Sequence, residues 1–116
     1  MDLLIETTIR YVWRVKRPQR WPRMRKRKWG KKRRLHWREA TVLLILMYNL
    51  RITYRGIEGF LDSRPKLLRR LRLQEAPNRT TLNNAFWHLD HEWFMDLNDR
   101  ITARVEWEEK RRLVRH

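Results

Sequence analysis

The sequence predicts an all-α protein, a small helical bundle with a helix-turn-helix-like pair and a basic N-terminal arm. Three observations lead there. Apolar residues recur at spacings of three and four through most of the second half, and no window alternates convincingly at period two. Two short stretches, Thr53-Tyr54-Arg55-Gly56-Ile57-Glu58-Gly59-Phe60-Leu61 and Pro77-Asn78-Arg79-Thr80-Thr81-Leu82-Asn83-Asn84-Ala85-Phe86, each carry a capping residue near the start and are separated by a basic spacer. Basic charge is crowded into the first third of the chain.

That crowding divides the 116 residues into an arm, 1–34, and a helical domain, 35–116. Residues 1–38 carry 15 basic and 2 acidic side chains, so +13 of the net charge of +16 lies there. No acid occurs between Thr7 and Arg38, and such a block repels itself, which favours disorder until a polyanion neutralises it. Nucleic acid is the expected polyanion. With the arm outside the core, only about 80 residues remain to build one, enough for a single small unit. There is no cysteine, hence neither a disulfide framework nor a thiolate metal site. The longest apolar run, residues 40–50, is shorter than the roughly 18 residues of a membrane span. Residues 1–6 lack the basic and apolar regions of a secretory signal, so a cytoplasmic, nucleoid-associated address and no membrane partner are expected.

Taking the elements in order, residues 2–16 place Leu4, Ile5, Ile9 and Val12 on one helical face, stopped by Pro18 and Pro22. Residues 16–34 read as arm. Trp13, Trp21, Trp29 and Trp37 recur every eighth residue, but eight matches neither helix nor strand and the residues between do not repeat. Residues 35–51 form the central helix, with Leu43, Leu44, Leu46, Met47 and Leu50 on good helix formers. Thr53 is placed to cap a helix carrying Tyr54, Ile57, Phe60 and Leu61 inward. Gly56 and Gly59 in that helix each cost about 1 kcal/mol relative to alanine, and close approach of another helix is the expected compensation. Ser63 is placed to cap the next helix, with Pro65 in its first turn, Leu67, Leu68 and Leu71 inside, and Arg69, Arg70 and Arg72 outside. Asn78 or Thr80 caps a further helix whose Leu82, Ala85, Phe86 and Leu89 share one face. From Asp90 or His91 a long final helix carries Trp93, Phe94, Leu97, Ile101 and Val105, with Asp96–Arg100, Glu106–Lys110 and Glu108–Arg112 paired four apart.

In a helix-turn-helix the second helix lies in the major groove, where Asn bonds adenine N6 and N7 and a Thr methyl meets the thymine methyl. Thr80, Asn83 and Asn84 suit that task; Trp87 and His88 share the outer half of their helix, and Arg79 at its start suits a phosphate or guanine. Arg69, Arg70 and Arg72 would hold backbone phosphates, as would Arg25, Lys26, Arg27, Lys28, Lys31, Lys32, Arg33 and Arg34 of the arm. The alternative is that these groups merely solvate a helix face. In the arm, interleaved tryptophans offer flat rings for unpaired bases, or instead pack on the helical body. His88 and His91 with Asp90 and Glu92 have the residue types of a metal site, but the pair straddles a helix boundary and no third ligand is specified. Asp90, Glu92, Asp96 and Asp99 suit a helix start and surface pairing better than a magnesium site. No catalytic residue, metal or cofactor is expected.

Residues 36–105 resemble the N-terminal domain of prokaryotic insertion-sequence transposases of the DDE class. The matching features are the apolar helix 40–50, Thr53-Tyr54-Arg55 with Glu58, Leu71-Arg72-Leu73, and Pro77-Asn78-Arg79-Thr80-Thr81-Leu82 leading to Phe86, Leu89 and Asp90. Gly56 stands where that pattern usually has an acid, and Arg72 where it has glycine; the tryptophan-rich basic extension is no part of it. The resemblance implies binding of duplex DNA at the inverted repeats of an element, with strand cleavage assigned to a downstream carboxylate domain that this chain is expected to lack. It also implies a homodimer or a separate catalytic transposase subunit as partner. Two other functions fit the residues: a general RNA- or ribosome-binding protein acting through the arm, and a helical dimerisation module using Trp87, Trp93 and Trp107.

Overall fold

The computed structural model describes residues 2–18 and 35–114. Six helices follow one another: α1 (Leu3–Val12), α2 (Trp37–Leu50), α3 (Gly56–Asp62), α4 (Pro65–Arg70), α5 (Arg79–His88) and α6 (His91–Val114). Among the described residues there is no strand, and the molecule is a small all-α bundle.

The middle of the bundle is α2. From Ala40 to Met47 every residue is buried, which explains why its sequence is apolar all round instead of striped. Its ends are well finished. The Glu39 carboxylate accepts from the His36 N–H at 3.2 Å, and Arg51 closes the C-terminus in a left-handed conformation (φ 55°) that lets the Ile52 N–H reach the Met47 carbonyl at 3.0 Å. Against α2 and α6 packs α1, capped by Asp2 and buried through Ile5, Thr8, Ile9 and Val12. The arm expected over residues 1–34 therefore contains, at its start, a helix of the bundle: an apolar face of this width gains roughly 1.5–3 kcal/mol per large side chain by finding a partner. Asn49 donates to the Asn98 side chain at 2.7 Å, a polar tie between α2 and α6 with Asn98 itself buried.

Around this frame α3 and α4 pack on each other and α5 packs on α2. Thr53 does cap the entry to α3, its hydroxyl accepting from the Gly56 N–H at 3.0 Å. The expected helix contact at the glycines is absent: a Cβ at Gly56 would meet Thr53 Oγ1 at 3.2 Å, and one at Gly59 would meet nothing within 4 Å. Ser63 does not cap α4. Its hydroxyl turns back to donate to the Phe60 carbonyl, finishing α3, and α4 starts on Pro65, whose missing N–H needs no cap. In α6, Asp96 and Arg100 pair at 3.0 Å as expected, whereas Glu108 pairs with Arg104 at 2.8 Å and not with Arg112.

Candidate nucleic-acid interface

The element that positions the site is α5. Asn78 caps it, accepting from the Thr80 N–H at 2.8 Å, and Leu82, Ala85 and the following Leu89 lock its inner face into the core. Phe86 adds an aromatic bracket, meeting Phe94 edge-on at 6.1 Å and His91 at 5.2 Å. What is left faces outward. Thr80, Asn84, Trp87 and His88 are exposed within about 100° of helical arc. Trp87 is 67% exposed, a large apolar surface that no element among the described residues covers. Asn83 lies at the margin of that face, half-buried, and Arg79 is exposed at the helix start but rotated away from the other four. The six residues expected to form one reading surface thus divide into four together, one at the rim and one apart.

The chemistry of the face suits an electron-rich partner. No carboxylate lies between Arg79 and His88, and from Arg64 to Asn84 six basic side chains meet a single acid, Glu75. Thr80 and Asn84 supply a hydroxyl and an amide, the groups that read base edges. The His88 ring holds Nδ1 against the Asn84 carbonyl at 2.8 Å, which orients the imidazole along the helix.

On α4, Arg69 is exposed, and so is Arg72 just beyond the helix end. Arg70 is already engaged: its guanidinium bonds both oxygens of Glu6 on α1, at 3.0 and 3.1 Å. A phosphate there would have to displace a bidentate carboxylate, so Arg70 serves chiefly to tie α4 to α1. Lys66, exposed three residues before Arg69, belongs to the same basic face and escaped the sequence reading, although that spacing marks it. Arg72 adopts φ 57°, a left-handed conformation that favours glycine. In the entry to α3, burial pushes the Tyr54 phenol above its ordinary value of 10.0. The arm residues Arg25, Lys26, Arg27, Lys28, Lys31, Lys32, Arg33 and Arg34 lie outside the described residues, as do Trp21 and Trp29.

The three tryptophans of the expected dimer surface do not come together as one patch. Trp93 is half-buried, donating from Nε1 to the Lys16 carbonyl at 3.2 Å and packing on Trp37; Trp87 is exposed on α5, and Trp107 far along α6 lies between Arg104 and Arg111. Among the described residues no group of three or more His, Asp or Glu is arranged to hold a metal ion. Nor, among them, is any helix long and apolar enough to cross a membrane. Set beside protein-family models, curated proteins and solved structures, the chain matches none.

Proposed function

We propose that the protein binds duplex DNA through α5, as the end-binding domain of an insertion-sequence transposase does, without strand chemistry of its own. One observation carries the reading: a helix anchored on one side by Leu82, Ala85 and Leu89 offers Thr80, Asn84, Trp87 and His88 outward, free of carboxylates, and follows basic α4 along the chain. The left-handed backbone at Arg72 lends support, since that is the position where the resembled pattern carries glycine. The catalytic carboxylates would then lie outside these 116 residues, and the protein would work at the nucleoid.

The test is selection of preferred sequences from a random duplex pool by the whole protein, followed by titration of the winner. Asn84→Ala should relax preference at one position by about 1–3 kcal/mol, whereas Arg69→Ala should weaken all sequences alike. An unaltered preference in Asn84→Ala and Asn83→Ala would remove α5 from the major groove. A second reading, general binding of RNA or DNA through the arm, is favoured by the +13 carried in residues 1–38. Equal affinity for selected duplex, random duplex and single-stranded RNA would favour it over the first.

A further inference from the structure

The exposed face of α5 is selective in what it can bond. His88 Nδ1 lies 2.8 Å from the Asn84 carbonyl, and since a carbonyl oxygen only accepts, Nδ1 is the atom that carries hydrogen. That bond fixes the tautomer of the neutral ring and leaves Nε2 as a bare acceptor. The two ring nitrogens point in nearly opposite directions, so with Nδ1 turned to the backbone, Nε2 turns away from the helix. His88 is exposed, and Nε2 has no partner among the described residues.

In the major groove an acceptor needs a donor, and only adenine N6 and cytosine N4 supply one there. Guanine shows O6 and N7, which would meet Nε2 lone pair to lone pair. Trp87, next to His88 and largely exposed, separates the two remaining candidates. Its uncovered ring is an apolar surface, and the apolar group of the groove is the thymine 5-methyl, carried by the partner of adenine and absent from a C·G pair. Asn84, one turn before His88 on the same side, can bond adenine N6 and N7 together, and the Thr80 methyl again suits thymine. The residues that read the other pair are missing from this face. Guanine is read chiefly by Arg or Lys, and the only one in α5 is Arg79, which lies off the face; cytosine N4 is read by a carboxylate, and α5 has none.

We infer that α5 reads A·T pairs, with His88 Nε2 and Asn84 taking adenine amino groups while Trp87 and Thr80 cover thymine methyls. The inference rests on the duplex-binding reading above and adds to it the class of sequence bound. Selection from a random duplex pool by the whole protein should return A·T pairs at the positions where Asn84→Ala and His88→Ala relax preference. The selected duplex is then the probe, altered at those positions. An inosine·cytosine pair has the major-groove groups of G·C and the minor-groove groups of A·T, so it distinguishes reading by α5 from reading of the minor groove or its width. Exchanging A·T for inosine·cytosine should weaken binding by about tenfold or more, and His88→Ala should reduce that factor by about fivefold with the helical circular dichroism unchanged. Deoxyuridine in place of thymidine removes only the methyl group and should weaken binding by about threefold, a penalty that Trp87→Ala should shrink. Selected G·C pairs at the positions sensitive to Asn84→Ala overturn the inference and leave duplex binding by α5 standing. Inosine·cytosine bound as tightly as A·T also overturns it, as does a His88→Ala protein whose preference is unaltered. If Asn83→Ala, Asn84→Ala and His88→Ala all leave preference unaltered, the reading of α5 falls and this inference falls with it.

Discussion

At the scale of single residues, two positions have backbone and side chain at odds, in opposite senses. Gly59 sits inside a helix where a Cβ would find open space, so its freedom serves no contact and weakens α3. Arg72 adopts φ 57°, where a Cβ crowds the following carbonyl and only glycine is at ease. Both are correctable. Gly59→Ala should stabilise the fold by about 1 kcal/mol and Arg72→Gly by about 0.5–1 kcal/mol, read as shifts in the denaturation midpoint. Unchanged or lowered midpoints would mean that a neighbour approaches Gly59 and that Arg72 leaves the left-handed region. Arg72→Gly also separates roles, since loss of a phosphate contact would lower DNA affinity while stability rises. The glycine at 59 could be read from the sequence, but its surroundings could not: whether a neighbour approaches is set by packing.

At the scale of helices, the most consequential finding is where α1 goes. Its apolar face was visible as Leu4, Ile5, Ile9 and Val12, yet the prolines and the charge that follow it suggested an arm. Packing overrides that suggestion, with Ile9 6% and Val12 0% exposed against α2 and α6. Ile9→Ala should therefore cost about 2–4 kcal/mol in chemical denaturation, the range for a large-to-small change in a core. A cost below about 0.5 kcal/mol would place α1 in solvent, where such changes are nearly silent. Caps were easier to read than contacts. Asn78 and Thr53 each bond an N–H two or three residues on, which is local chemistry; Ser63 follows the Phe60 carbonyl instead, because the end of α3 and the start of α4 compete for one hydroxyl.

For the whole molecule, charge and shape have to be weighed together. The bundle from residue 39 onward is nearly neutral, with 14 basic and 11 acidic side chains, so most of any electrostatic pull on a polyanion originates in residues 1–38. If the arm and α4 together neutralise eight phosphates, log K should fall against log salt with a slope of about −7 on duplex DNA. Neutralising Lys31, Lys32, Arg33 and Arg34 should flatten that slope by about 4 without changing which sequence is preferred. A slope near zero would take the arm out of the binding account. Affinity from the arm and selectivity from α5 are then separable quantities.

By itself the sequence determined what depends on neighbours along the chain: helical periodicity, most caps, the inner face of α5, and the uneven spread of charge. Tertiary structure decided what depends on residues far apart. Glu6 and Arg70, 64 positions apart, meet and take one expected phosphate ligand out of reserve, and Asn49 finds Asn98 across 49. Three-dimensional packing also buried half of Trp93 and opened a cleft beside Glu106 and Glu109. The reason is physical: period and capping are properties of one helix, whereas partners are chosen by how several helices share a core.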